Sequence, residues 1–209
     1  MTPEAAVASF VAALFSMMNP IGNVGIFAGM TKGRPITESR QTAWTSAMAI
    51  AITLLLVTWA GPLLLRFFGV TVDTLRAAGG IVVLIIGLHM LFNKSEHKQT
   101  SDELEDAANR SSIAVVPLAI PIVAGPGTMA TVLVAVQQYH SLMSKVVIST
   151  VCIILAALTG LLFSFAGPIS RWLGDSGMGV VTRVMGLVLA AIAMGMLAEG
   201  LKALLPGLA

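Results

Sequence analysis

The sequence predicts an all-α membrane protein with six transmembrane helices, arranged as two three-helix repeats of inverted topology. Three observations lead to this fold class. The composition is too apolar for a water-exposed surface, apolar segments of membrane-spanning length recur along the chain, and a similar interruption stands at matching places in both halves. We therefore expect the first and fourth helices to be discontinuous.

The composition indicates that lipid is the solvent for most of this chain. Charged residues make up 11% of the 209 residues, against about 25% in a typical soluble domain. Hydrophobic residues make up 56% of the chain, and the mean hydropathy is +0.91. The net charge of +2, without a dense basic patch, does not indicate a nucleic-acid partner. A lipid bilayer is the partner that the composition predicts.

Six apolar segments can be placed along the chain, each near the length of about 20 residues that a span requires. They are predicted at about 5–30, 43–68, 75–92, 113–137, 145–172 and 180–205. The hydrophilic stretch 93–112 is predicted to be a linker. This divides the chain into a first repeat at 1–92, the linker, and a second repeat at 113–209, which together form one membrane domain.

The spacing of proline motifs indicates that the two halves repeat one plan. Pro20 and Pro126 are 106 residues apart, and the Ala-Gly-Pro triplets that end at Pro62 and Pro168 are also 106 residues apart. Each half contains three predicted spans, which is an odd number. The second half must therefore enter the membrane from the opposite side, which is the arrangement of inverted-topology repeats.

The two interruptions have the chemistry of a helix that stops and restarts. We call residues 19–23 (Asn-Pro-Ile-Gly-Asn) the first break and residues 124–128 (Ala-Gly-Pro-Gly-Thr) the second break. Asn is a strong N-cap and Pro suits the first helical position, and Gly125-Pro126 repeats this pattern with a weaker cap. The candidate substrate-binding residues are Asn19, Pro20, Ile21, Gly22, Asn23, Gly125, Pro126, Gly127 and Thr128.

Such breaks can bind a small zwitterion. A restarted helix presents free backbone amides and about half a positive charge, which attract a carboxylate. The half-helix before each break ends in free carbonyls, near residues 16–18 and 122–124, which suit an ammonium group. We expect these groups to face a shared polar chamber, because matching broken helices are typical of a transporter's binding site. The alternative is that Pro and Gly only kink these helices or allow close packing.

Ionisable residues provide fewer candidates. Arg76 and Arg183 begin matching Arg-x-x-Gly motifs 107 residues apart, and they are candidate gating residues. The alternative is that their side chains snorkel and cap neighbouring helix ends. No carboxylate lies at the centre of a predicted span, and no His/Cys cluster has metal-ligand spacing, so no coupling ion, metal or cofactor is indicated. Close helix contact is predicted at Gly79, Gly80, Gly186 and Gly195.

Lys and Arg residues near the ends of the spans predict the orientation in the membrane. One side carries eight of them, namely Lys32, Arg34, Arg40, Lys94, Lys98, Arg110, Arg171 and Arg183. The other side carries four, namely Arg66, Arg76, Lys145 and Lys202. We therefore expect the larger group in the cytoplasm and both termini outside it.

Four stretches resemble a known family. They are 18–24 (Met-Asn-Pro-Ile-Gly-Asn-Val), 76–81 (Arg-Ala-Ala-Gly-Gly-Ile), 116–127 (Val-Pro-Leu-Ala-Ile-Pro-Ile-Val-Ala-Gly-Pro-Gly) and 182–187 (Thr-Arg-Val-Met-Gly-Leu). With these stretches the chain resembles the MarC family of integral membrane proteins, which includes transporters of small neutral amino acids. The resemblance implies a multi-pass inner-membrane protein that exports or exchanges amino acids such as glycine or alanine. It implies a site at Asn19, Pro20, Gly22, Gly125, Pro126 and Gly127.

Other functions remain as alternatives at this point. A carrier of inorganic ions or of another small metabolite would also use a polar break, although ligands for metal cations are missing from the predicted spans. A membrane enzyme would need paired carboxylates or a Ser-His, Cys-His or His-Glu-x-x-His set, and none is present. A scaffold or regulator without transport activity would need no break that faces a cavity. An oligomer is compatible with all of these functions.

Overall fold

The computed structural model describes residues 2–31, 33–92, 123–139, 141–205 and 207. Within these ranges the chain forms seven helices and no strand, which confirms the predicted all-α class. The helices are α1 (Pro3–Met18), α2 (Asn23–Met30), α3 (Ile36–Phe68), α4 (Val72–Phe92), α5 (Pro126–Gln138), α6 (Leu142–Ser164) and α7 (Ala166–Leu204).

Among the described residues, five stretches are long and apolar enough to cross a membrane, namely Glu4–Met30, Ile36–Phe68, Val72–Phe92, Leu142–Ser164 and Ser176–Leu204. They correspond to the first, second, third, fifth and sixth predicted spans. The first stretch consists of two helices, because the chain is not helical between Met18 and Asn23. The linker 93–112 and most of the fourth predicted span lie outside the described residues, and α5 is the described part of that span.

The second span begins earlier than hydropathy predicts. Helix α3 starts at Ile36, directly after Pro35, whereas the apolar pattern starts at about residue 43. The first turns carry polar side chains, including Glu38 where an acid favours a helix N-terminus. Hydropathy detects only the part of a helix that lies in hydrocarbon, so it misses a polar extension of this kind.

The fifth predicted span is interrupted near its end. Phe165 separates α6 from α7, and Pro168 explains the interruption because it has no N–H for the Ser164 carbonyl. The change to the sixth span occurs inside α7, where Gly174 has φ 62° and ψ 178°. By contrast, α3 stays helical through Pro62. The two Ala-Gly-Pro triplets therefore differ in local structure.

Helix α3 shows how the protein meets lipid. Its exposed side chains are large and apolar, namely Trp44, Met48, Ile52, Leu56, Trp59, Leu63 and Phe67. Its buried face combines small and hydroxyl-bearing residues with two large aliphatic ones, namely Ala43, Ser46, Ala47, Ile50, Leu54, Thr58 and Gly61. Both sets recur every three or four residues, as the two faces of a helix do. A bilayer solvates the first face, so the lipid partner follows from the fold.

The most extensive contact between helices joins α4 to α7. Gly80 of α4 faces Ala193 of α7, and Gly87 faces Gly186, so the two helices run antiparallel. A Cβ atom on Gly87 would lie 2.8 Å from the backbone nitrogen of Ala190 and 2.9 Å from the carbonyl oxygen of Gly186. Because these neighbours are backbone atoms, no change of side-chain rotamer could make room.

The predicted close contacts are confirmed at three of four glycines. A Cβ atom on Gly80 or Gly186 would meet backbone of the facing helix, and one on Gly79 would lie 3.0 Å from the Cβ of Ala130 in α5. The prediction is wrong for Gly195, because no atom lies within 4 Å of the position of its Cβ. Hydropathy cannot tell which side of α7 faces α4.

The other contacts also join the two halves. Gly160 of α6 packs on Ala47 of α3, while Trp59 of α3 donates a hydrogen bond to Ser149 of α6 at 3.2 Å. Helix α1 contacts α5. Helices α3 and α4 of the first predicted repeat therefore touch their counterparts α6 and α7 in the second. A two-fold relation between the halves is compatible with these contacts and stays a prediction.

Substitution of Gly87 by Ala should force α4 and α7 apart. We expect a loss of about 1–3 kcal/mol of stability, the usual cost of overpacking. The matched control is Gly195→Ala, which fills open space and should be neutral or stabilising by up to about 1 kcal/mol. Thermal unfolding in detergent, followed by circular dichroism, measures both. Equal melting temperatures for the two variants would contradict the close α4–α7 contact.

Candidate functional site at the two helix breaks

Asn19 ends the first helix. Its backbone has φ 45° and ψ 51°, and it is the one non-glycine residue with positive φ in the described part of the chain. This left-handed conformation is a common way to end a helix, and Asn tolerates it better than most residues. The Asn19 N–H still donates to the Phe15 carbonyl at 3.0 Å. Helix α1 therefore stops at Asn19, before the chain has crossed the membrane.

Asn19 also accepts hydrogen bonds from the turn that leads into α2. The Gly22 N–H donates to Asn19 Oδ1 at 3.2 Å, and the Asn23 N–H donates to the Asn19 carbonyl at 3.1 Å. Asn19 thus supplies a side-chain acceptor as predicted, but α2 begins only at Asn23 with Gly22 as its N-cap, so the prediction that Pro20 is the first helical residue is wrong. Asn19, Pro20 and Gly22 are buried, whereas Ile21 is 42% exposed.

The second break follows its predicted plan closely. Gly125 is the N-cap of α5 and Pro126 occupies the first helical position. The first bond of the helix runs from the Met129 N–H to the Gly125 carbonyl at 2.9 Å. The N–H groups of Gly127 and Thr128 precede this bond and have no acceptor within the helix. Gly125, Gly127 and Thr128 are buried, and Pro126 is exposed.

At each break, a polar side chain predicted to bind substrate instead donates a hydrogen bond to a carbonyl before the break. Asn23 Nδ2 donates to the Met18 carbonyl at 3.0 Å, and Thr128 Oγ1 donates to the Val123 carbonyl at 2.8 Å. Both bonds reach back five residues, and both donors are at most 5% exposed. The expectation that the Met18 and Val123 carbonyls are free is therefore wrong, because a buried carbonyl needs a donor from within the protein.

The positions of Gly22 and Gly127, one glycine in each break, are occupied on their side-chain side by other atoms of the protein. A Cβ on Gly22 would lie 2.5–2.8 Å from the carboxamide of Asn19. A Cβ on Gly127 would collide with Cγ2 of Val83 in the middle of α4, and would lie 3.4 Å from Met17 Sδ. The absence of a side chain at Gly22 and Gly127 thus makes room for the Asn19 cap and for Val83.

The breaks come together around an apolar cluster. Met17, in the last turn of α1, packs with Val83, Leu189 and Ala193, and Gly127 lies against Met17 and Val83. Gly127 of the second break therefore lies close to the end of α1, just before the first break. Their contact is apolar, however, and the shared polar chamber that we expected is not seen among the described residues. Apolar side chains can pack here because the buried carbonyls of Met18 and Val123 already accept hydrogen bonds from Asn23 and Thr128.

One polar contact at the first break is weak. Asn19 Nδ2 donates to Met90 Sδ of α4 at 3.6 Å. A thioether is a weak acceptor, and Asn19 is only 3% exposed. The Asn19 amide group is thus a buried donor whose bond a carbonyl or carboxylate oxygen would improve.

The two candidate gating residues have different surroundings. Arg76 Nη1 lies 3.4 Å from Asp73 Oδ1 and 3.6 Å from Glu199 Oε2, and these residues line an open cleft of about 810 Å³. Arg183 is exposed, and within the described residues it has no ion pair and does not line this cleft. The cleft brings Arg66 and Arg76 to one end of the helices, and the orientation of that end in the membrane stays a prediction.

At position 19, glycine should destabilise the protein less than alanine, which is the reverse of their usual order inside a helix. Asn19→Ala loses the side-chain cap, worth about 1 kcal/mol, and places Ala in a left-handed conformation that costs roughly 1–2 kcal/mol more. Asn19→Gly loses only the cap, so we expect it to be the more stable variant. Thermal unfolding in detergent checks the order, with Ala13→Gly in the interior of α1 as a control that should destabilise. A lower melting temperature for Asn19→Gly would overturn this assignment.

The contact between the second break and α4 can be tested by a rescue. Gly127→Ala should destabilise the protein, because the added methyl group collides with Val83 Cγ2. Val83→Ala removes that atom and leaves the Val83 Cβ at 3.6 Å. The double variant should therefore be more stable than the sum of the two single effects predicts, by about 0.5–3 kcal/mol. Leu189→Ala, in the same cluster, should not rescue. Additive effects of Gly127→Ala and Val83→Ala would show that the two residues do not touch.

Comparison with known proteins identifies the family. The family profile described as MarC family integral membrane protein matches residues 5–205. The UPF0056 membrane protein YhcE of Escherichia coli (strain K12) is 35% identical over 200 residues, covering 95% of this chain and 93% of the relative. The UPF0056 membrane protein YvbG of Bacillus subtilis (strain 168) is 39% identical over 198 residues, covering 92% of each. A UPF0056 membrane protein of Aquifex aeolicus (strain VF5) is 31% identical over 193 residues, covering 92% of this chain and 90% of the relative. No solved structure matches the chain. The protein therefore belongs to the MarC family of integral membrane proteins, as its sequence motifs predicted.

Proposed function

We propose that this protein is a transporter that moves small neutral amino acids, such as glycine or alanine, across the inner membrane by export or exchange. The observation that carries the proposal is the pair of helix breaks: Met17, just before the first break, and Gly127 of the second break both lie against Val83 in the middle of α4. An uninterrupted helix would satisfy its own backbone at no cost. Two breaks inside the membrane are therefore best explained by a ligand that binds there.

The chemistry of the breaks suits a small zwitterion. The N–H groups of Gly127 and Thr128 at the start of α5 can receive a carboxylate. The Nδ2 group of Asn19, which donates to a thioether sulfur, is a second donor. The carbonyls of Met18 and Val123 each accept one side-chain bond and retain a second lone pair for an ammonium group. Ile21 and Pro126 are the exposed residues at the two breaks.

The described conformation corresponds to a closed site. Met17 and Val83 lie against Gly127, so a substrate can reach the amides of the second break only when this apolar contact opens. Alternating access provides such a movement, because the two halves would rock about the breaks. The antiparallel pairs α4–α7 and α3–α6 support the assignment of 1–92 and 113–209 as inverted repeats.

The proposed orientation follows the distribution of basic residues. The cleft with Arg66 and Arg76 would face outside the cytoplasm, together with both termini. Lys32, Arg34, Arg40 and Arg171 would lie on the cytoplasmic side with the linker 93–112.

A membrane scaffold without transport activity is the second candidate. The apolar cluster of Met17, Val83, Leu189 and Ala193 beside the breaks favours it, because a protein that never opens would pack its interior in this way. The two candidates differ in one measurable property, which is the flux of labelled amino acid across a bilayer.

Flux assays with two isosteric threonine variants test the proposal. Thr128→Val removes the hydroxyl that closes the second break, and we expect at least a tenfold loss of glycine and alanine flux in proteoliposomes. Thr159→Val is the matched control, because Thr159 is also buried and its hydroxyl bonds to Leu155 within α6 at 2.8 Å. It should retain wild-type flux.

Each contrary outcome has its own meaning. Wild-type protein that moves no small neutral amino acid, in either direction and with imposed proton or sodium gradients, would favour the scaffold. Equal flux in the Thr128→Val and Thr159→Val variants would place the substrate site away from the second break.

A further inference from the structure

The cleft at the Arg76 end of the helices is built from four separate elements. It is lined by the end of α3, the start of α4, the last turn of α5 and the last turns of α7. Its polar side chains include Arg66, Arg76, Asp73, Glu199, Gln137 and Gln138. Its volume of about 810 Å³ lies within the range of small-molecule sites.

The Arg76 guanidinium has unused binding capacity. Its side chain is 21% exposed, and both of its ion pairs are made by Nη1. Neither pair engages the edge formed by Nε and Nη2. That edge is the fork with which Arg binds a carboxylate through two parallel hydrogen bonds. Arg76 can therefore accept a further carboxylate from the cleft.

The two acidic side chains supply the complementary charge. Asp73 and Glu199 are 43% and 71% exposed, and each uses one named oxygen to reach Arg76. An ammonium group beside them would be attracted by both carboxylates. The charges of Arg66 and Arg76 balance those of Asp73 and Glu199, so the cleft favours a ligand with both charges over a ligand with a net charge.

The cleft is connected to the second break by two helices. Val134 of α5 lines the cleft, and Ala130, one turn closer to the break, touches Gly79 of α4. Arg76 precedes Val83 by two helical turns, which is roughly 10 Å along α4 at about 1.5 Å per residue. The cleft is therefore close to the second break but separated from it by the contact between Gly79 and Ala130.

We propose that this cleft is a peripheral binding site for zwitterions. In it, Arg76 binds the carboxylate, and Asp73 and Glu199 bind the ammonium group, of a small neutral amino acid on its way to or from the breaks. The identity of the ligand rests on the proposed transport function. Because the ligand ammonium group competes with Arg76 for Glu199, binding also weakens an ion pair between α4 and α7. This gives Arg76 the role of an entry residue, which the exposed Arg183 does not share.

Binding of labelled alanine to purified protein in lipid nanodiscs tests the site. The measurements use Thr128→Val protein, in which the second break is impaired, so that binding at the cleft can be measured by itself. We expect this variant to keep alanine binding at the cleft. In that background, Arg76→Gln should lower the affinity for alanine at least tenfold. Arg76→Lys keeps the charge but loses the paired donors, so its affinity should lie between those of Thr128→Val protein and the Arg76→Gln variant. Arg183→Gln is the matched control and should bind as its parent does. Alaninamide and N-acetylalanine, which each lack one charge, should compete poorly.

The outcomes separate this proposal from the transport function. If Thr128→Val protein binds no alanine, or if Arg76→Gln leaves its binding unchanged, the cleft is not a zwitterion site, although the transport function stands if wild-type flux is present. If wild-type protein neither binds nor moves a small zwitterion, both proposals fail. In flux assays, Arg76→Gln should raise the alanine concentration for half-maximal flux and keep the maximal flux. A lost maximal flux with unchanged half-saturation would contradict a peripheral role.

Discussion

A backbone carbonyl or amide inside a bilayer must find its partner within the protein, and the structure at the breaks depends on this constraint. Where α1 stops, the Met18 carbonyl loses its helical donor, and the Asn23 side chain replaces it at 3.0 Å. At the second break the Thr128 hydroxyl does the same for the Val123 carbonyl at 2.8 Å. A side-chain amide and a hydroxyl thus do the same thing at the two breaks: each pairs a buried carbonyl that the end of a helix leaves without its backbone donor.

Helices α4 and α7 form the support against which the breaks are placed. Glycine at Gly80, Gly87 and Gly186 lets their backbones touch, so the middle of α4 is held at a well-defined position. Val83 projects from this position towards Met17 and Gly127. A movement that opens the breaks must displace Val83 or the helices that carry Met17 and Gly127. The apolar Met17–Val83 contact is easier to separate than the backbone contacts of α4 with α7, because it costs no hydrogen bond.

Part of the structure of the breaks can be predicted from the amino-acid sequence. The capping chemistry of Gly125-Pro126 predicted where α5 begins, because N-cap and first-turn preferences are local, whereas α2 begins at Asn23, three residues after Pro20. Asn23 and Thr128 were recognised as functional candidates, but their bonds to carbonyls five residues earlier were missed. The signal was present as a polar side chain three or fewer residues after each proline. The hydrophilic linker and the first part of the fourth span lie outside the described residues.

By itself, the sequence determined the membrane class, the family, five of the spans and the positions of both breaks, because apolar length and turn chemistry are properties of short segments. Only the tertiary structure decided that Gly87 touches a neighbouring helix while Gly195 does not. It also decided that Arg76 meets Glu199, 123 residues away along the chain, whereas Arg183 is exposed. These outcomes depend on how each helix is rotated about its axis and which helix it pairs with, and neither is set by the residues of one segment alone.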